Sequence, residues 1–97
     1  MSITAYHFWS PTCAPCKIIK PAVEDLKEEF SQVKWLSVNT HDDGEMLAVL
    51  YGVSVVPTIV VEVTDTTGKV LSTEKQVGTN IAAYYRIIRN ALRVTQQ

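Results

Sequence analysis

An apolar run, Ile3-Thr4-Ala5-Tyr6-His7-Phe8-Trp9, hands over almost at once to a helical pattern that starts at Cys13. This junction constrains the fold more than any other feature. Both faces of the run carry apolar groups, so residues 2–9 read as a buried strand. From Cys13 to about Phe30 the side chains of Ile19, Ala22, Val23, Leu26 and Phe30 fall on one helical face, with Lys20, Glu24, Lys27 and Glu28 on the other. Pro21 lies inside this helix, has no N–H to contribute, and predicts a kink. Val33 to Asn39 reads as the next strand. Two strands joined through a helix make a parallel pair with a right-handed crossover.

The remaining pattern completes the sheet. Asp42 or Asp43 is expected to cap a short helix carrying Met46, Leu47 and Leu50, closed by Gly52. Thr58 to Thr64 is rich in β-branched residues and reads as a third strand. Asp65-Thr66-Thr67-Gly68 is turn chemistry, so Lys69 to Val77 is expected to return antiparallel, with Gly78 ending it. Thr79 or Asn80 then caps a last helix whose inner face is Ile81, Tyr84, Tyr85, Ile88 and Leu92. The predicted order is βαβαββα, an α/β fold with a four-stranded mixed sheet flanked by helices, in one domain over residues 1–97.

Cys13 and Cys16 are the only two cysteines, separated by Ala14-Pro15. At a strand-to-helix junction this spacing reads as a thiol–disulfide redox site, because one sulfur can reach the other within a helical turn. The competing reading is a metal site or two inert buried thiols. A zinc site wants four ligands, and only His7 and His41 could join the cysteines. At the start of a helix, unpaired N–H groups and the macrodipole lower the pKa of Cys13 below the free value of ~8.5. Cys16, one turn further, is expected to be more buried. Pro15 suits the first helical turn, where a missing N–H costs little.

Composition narrows the function classes. A net charge of -1 argues against an electrostatic nucleic-acid surface. No apolar run reaches the ~20 residues that cross a bilayer, and the N-terminus lacks the basic start and apolar segment of a secretory leader. A cytoplasmic, reducing setting is the expectation, and there a lone disulfide is catalytic rather than structural.

Phe8-Trp9, Cys13-Ala14-Pro15-Cys16-Lys17, Pro21, Tyr51-Gly52-Val53, Val56-Pro57-Thr58, Gly68 and Val77-Gly78 follow one another as in thioredoxins, and the chain resembles that family from about residue 3 to residue 93. Glutaredoxins share the fold but typically carry Pro-Tyr where this chain has Ala14-Pro15. Four positions depart from the family pattern. The strand and helix that usually precede the Cys-bearing strand have no counterpart here, which leaves strand 33–39 a free edge, guarded by Lys34 or covered by a partner. Thr12 stands where a Trp is usual, and Ala14 where Gly is usual. His7 stands at the position of a buried Asp, and Ser37 aligns with the Lys that often accompanies it. Losing both members of a buried charge pair together avoids stranding one of them.

The resemblance implies a protein disulfide reductase in which Cys13 attacks a substrate disulfide and Cys16 resolves the mixed disulfide. It implies a cis Val56–Pro57 bond packed against the cysteines, whereas the residues alone allow Pro57 simply to begin a strand. Thr12, Ala14, Pro15, Val56, Pro57 and Gly78, with Val55, then form a shallow substrate surface, and the Val56 backbone pairs with an extended substrate segment. His7 reads either as the acceptor of the Cys16 proton, kept neutral by burial, or as a core histidine bonded to a backbone carbonyl. No bound cofactor or metal is implied; electrons come from NADPH through a thioredoxin reductase, and the protein is expected to be a monomer. The alternatives are glutaredoxin-like, oxidase or isomerase activity, and a binding module for a specific partner.

Overall fold

The computed structural model describes residues 1–96. The elements are β1 (Ser2–Trp9), α1 (Ala14–Glu29), β2 (Lys34–Asn39), α2 (Leu47–Leu50), β3 (Thr58–Thr64), β4 (Val70–Val77) and α3 (Ile81–Thr95), in the order expected. The sheet runs β2-β1-β3-β4, with β1 and β2 parallel and the other two pairs antiparallel. β2 is therefore an edge, and Lys34 is exposed on it.

Alternation along β1 and β3 assigns each side chain to a layer. Ile3, Ala5, Ile59, Val61 and Val63 pack with Ile19, Val23 and Leu26 of α1 and with Tyr84, Ile87 and Ile88 of α3. On the opposite face Phe8, Val38 and Val60 lie beneath Leu47, Tyr51 and Val53. His7, two residues from Ala5, shares the α1/α3 face. The layers thus send an imidazole toward the helix that carries both cysteines.

Local details depart from expectation for identifiable reasons. On α3 the buried stripe is Ala83, Tyr84, Ile87, Ile88 and Ala91, and Tyr85 is exposed instead of inward. At about 100° per residue, a face centred on 84, 87, 88 and 91 turns position 85 to its rim. There the Tyr85 ring meets Phe30 edge-on, with centroids 5.1 Å apart. α2 begins at Leu47, and Met46 stands just outside it with φ 56. Asp43 still serves the helix: its Oδ1 accepts from the Leu47 N–H at 2.9 Å and its Oδ2 from the Ala48 N–H at 2.8 Å. α1 runs through Pro21 as one element. Pro21 is exposed, so the Lys17 carbonyl that loses its amide donor lies on the solvent side.

Candidate active site

Cys13 occupies the N-cap of α1, with extended backbone angles (φ -88, ψ 103). It is joined to Cys16 in a disulfide with a Cα–Cα distance of 5.3 Å. The Cys16 N–H, one of the helix's unpaired donors, points at Cys13 Sγ from 3.1 Å. After reduction the same donor and the helix dipole stabilise a thiolate on Cys13 and not on Cys16. Pro15 lies in the first turn, as expected. Both cysteines are buried, Cys13 8% and Cys16 6% exposed, so the expected difference in burial is slight.

Register gathers the other predicted residues at the same end of the sheet. Phe8 pairs with Thr58, and Thr58 with Val77. The loop after β1, the turn before β3 and the residues after β4 therefore lie side by side. The Val56–Pro57 bond is cis. Pro57 is buried and Val56 half-buried, while Val55, Thr12, Ala14 and Pro15 are exposed. Gly78, at φ 107, donates its N–H to the Pro57 carbonyl at 3.0 Å. That angle suits glycine, since a Cβ there is strained.

Two residues that sequence reading left out of the site hold this surface in place. The fully buried Thr58 donates its hydroxyl to the Val55 carbonyl at 2.6 Å, shaping the turn that presents Val56. The Tyr84 hydroxyl reaches both the Gly78 carbonyl and, at 3.3 Å, the Pro57 carbonyl. Burial pushes the Tyr84 phenol up to about 12, so it stays a donor. The sequence signal for Tyr84 was its place on the inner helical face, which says core and is silent on the hydroxyl. Tyr84→Phe is expected to lower stability by ~1 kcal/mol, because it takes the donor from the part-buried Gly78 carbonyl while the Pro57 carbonyl keeps the Gly78 N–H. Urea unfolding of the oxidised protein checks this.

Behind the disulfide lies a cleft of about 330 Å³ lined by His7, Trp9, Cys16 and Ser37 among others. His7 and Ser37 are register partners across β1 and β2, so the two departures from the family pattern are neighbours. Ser37 Oγ accepts from Trp9 Nε1 at 2.7 Å. His7 is 7% exposed, and its Nε2 has no hydrogen-bond partner. Burial, and secondarily the charge of Lys27, hold the imidazole down to about 4 against the pull of Glu24. His7 is thus neutral at rest. Among the described residues no group of three His, Cys, Asp or Glu side chains is placed to hold a metal ion.

The family model described as Thioredoxin matches residues 3–85. The chain belongs to the thioredoxin family. It is 38% identical over 55 residues to thioredoxin of Pyropia yezoensis, a match that covers 56% of this chain and 50% of that protein. The chain thus spans about half the length of the curated relatives it matches. Among solved structures it superposes on Fasciola hepatica thioredoxin with a TM-score of 0.76 at 27% identity, covering 93% of this chain and 81% of the other. It also superposes on a chain of the complex of ferredoxin: thioredoxin reductase and thioredoxin f2, with a TM-score of 0.77 at 26% identity, covering 93% and 77%. The thioredoxin fold and the redox disulfide expected from the sequence are both present in the structure.

Proposed function

We propose that this thioredoxin-family protein is a protein disulfide reductase. The observation that carries the reading is the Cys13–Cys16 disulfide at the helix N-cap, with the cis Val56–Pro57 turn at the same end of the sheet. In the reduced protein the Cys13 thiolate attacks a substrate disulfide, forms a mixed disulfide and expels one substrate thiolate. The Cys16 thiolate then attacks the Cys13 sulfur, expels the second substrate thiolate and closes the Cys13–Cys16 bond. Two electrons pass from the dithiol to the substrate. Thr12, Ala14, Pro15, Val56 and Gly78 meet the substrate, and the half-buried Val56 offers backbone for strand addition. A reducing, cytoplasmic setting and a thioredoxin reductase as electron donor complete the proposal; similarity to a chain of a reductase complex supports the donor.

His7 accepts the Cys16 proton during resolution, and the cleft they share motivates this assignment. Moving a proton from the buried Cys16 thiol to an imidazole held near about 4 is uphill. His7 therefore serves as a transient acceptor that passes the proton on, not as a resting imidazolium.

The test is acceleration of insulin disulfide reduction by dithiothreitol. Turnover well above the uncatalysed rate is expected; none, in folded protein, sinks the reading. One observation favours a second reading, disulfide oxidase or isomerase. The acid in the cleft, Glu24, is tied to Lys27 at 3.3 Å, and His7 is neutral, so no free carboxylate in the cleft opposes a thiolate. A stabilised reduced form makes a stronger oxidant. The reduction potential separates the two: a value near the ~-270 mV reference for thioredoxins means reductant, and one nearer ~-120 mV means oxidase.

A further inference from the structure

We propose that the cleft behind Cys16 binds a small organic anion with an apolar body, and that its occupant shields the resolving cysteine. The cleft is built by three elements. β1 contributes His7 and Trp9, β2 contributes Ser37, and one stripe of α1 contributes Cys16, Lys20, Glu24 and Lys27, with Lys17 beside it. The α1 residues recur at helical spacing, so their side chains stack along one side of the opening. At about 330 Å³ the space falls at the lower end of the ~300–1,000 Å³ typical of small-molecule sites.

The charges and polar atoms define the ligand. Lys27 and Glu24 satisfy one another at 3.3 Å, and this is the one ion pair among the described residues. Lys17 and Lys20 line the same cleft with no carboxylate within ion-pair distance, so they supply a net positive rim. Inside stands the buried His7 Nε2, which no protein group satisfies. A buried polar nitrogen left unpaired costs free energy, and a ligand or water must complete it. The indole of Trp9 is fixed by its bond to Ser37 and offers an apolar wall. An aromatic or branched carboxylate fits this set, its body on Trp9 and its acid group drawn to Lys17 and Lys20, with a carboxylate oxygen or a co-bound water completing His7 Nε2. Cys13 does not line the cleft, so the substrate face stays open when the cleft is filled.

Binding stands apart from the reductase reading; only the role of Cys16 as the resolving cysteine rests on it. The probes are 3-phenylpropionate, 3-phenylpropanol and 3-phenylpropylammonium, which share a body and differ in charge. With the oxidised full chain, tryptophan fluorescence and proton shifts of His7 and Trp9 are followed on titration. The anion is expected to bind about tenfold more tightly than the alcohol, ~1.4 kcal/mol, with the cation weakest. Added salt and the Lys17→Gln, Lys20→Gln double variant should each level the three. In Cys13→Ser protein, 3-phenylpropionate should slow alkylation of Cys16 by iodoacetamide, a readout that needs no reductase activity. Equal binding of the three probes, no binding because water alone fills the cleft, shifts confined to exposed Val49 and Leu50, or unchanged alkylation of Cys16 each overturns the proposal.

Discussion

Cys13→Ser is expected to reduce insulin disulfide turnover to the uncatalysed background, a loss on the order of 10³-fold or more. The thiolate is the nucleophile, and a serine hydroxyl in the same place remains protonated and inert toward disulfides. Cys16→Ser should fail differently. It retains the N-cap residue, the Cys16-position N–H that faces Sγ and the helix dipole, so the first attack proceeds. Without a resolving sulfur the reaction stops at a mixed disulfide on Cys13, seen by mass spectrometry as a covalent adduct. The asymmetry follows from the helix: its N-terminal donors face Cys13, and the lower-pKa sulfur is both the better populated nucleophile and the better leaving group. Residual turnover in Cys13→Ser, or an adduct on Cys16 in otherwise unaltered protein, would mean that substrates enter through Cys16 and that the roles are reversed.

The second large effect is on stability against acid, and His7 causes it. Its folded pKa is about 4, against 6.5 when solvated. Above pH 6.5 both folded and unfolded chains hold it neutral, and it contributes no pH dependence. Between pH 6.5 and 4 the unfolded chain binds a proton that the folded chain refuses, so stability falls as pH falls. By pH 4 the loss reaches about 3 kcal/mol. His7→Leu removes this term. Urea unfolding at pH 7 and pH 4 should show the parent protein losing about 3 kcal/mol more than the variant, with carboxylate titration common to both. Parallel losses would mean that His7 is hydrated or partnered in solution. The same variant tests the proton path. If His7 accepts the Cys16 proton, resolution of the mixed disulfide slows by ~10²-fold, the lower range for a lost acid–base group. A resolution rate unchanged from pH 6 to 9 would assign the proton to cleft water instead.

The two predictions differ in how far the linear sequence supports them. The cysteine pair was legible because its chemistry is local: a spacing, a strand before it and a helix after it determine which sulfur takes the N-cap. The element order was legible for a similar reason, since alternation in residues 2–9 and 58–64 and the 3.6-residue period of α1 reflect burial directly. The cis Val56–Pro57 bond came from family resemblance, because an isolated X–Pro bond prefers trans.

Where prediction missed, neighbouring elements made the decision. Tyr85 and Ile87 exchange places on α3 because the sheet and Phe30 set the rotation of a helix whose apolar residues span more than one face. Met46 falls outside α2 because Asp43 bonds to Leu47 and Ala48 and sets the first turn there. By itself the sequence determined the redox pair and the order of elements, both governed by contacts between residues near in the chain, while the surface of Thr12, Ala14, Pro15, Val56, Pro57 and Gly78 came from the family resemblance and is gathered by strand register. Only the tertiary structure decided that the Tyr84 hydroxyl anchors that surface, that His7 lies beside Ser37 with an unpartnered nitrogen, and that Lys17 and Lys20 rim the same cleft. Those depend on strand register and helix rotation, which bring together residues far apart in sequence and carry no local signature.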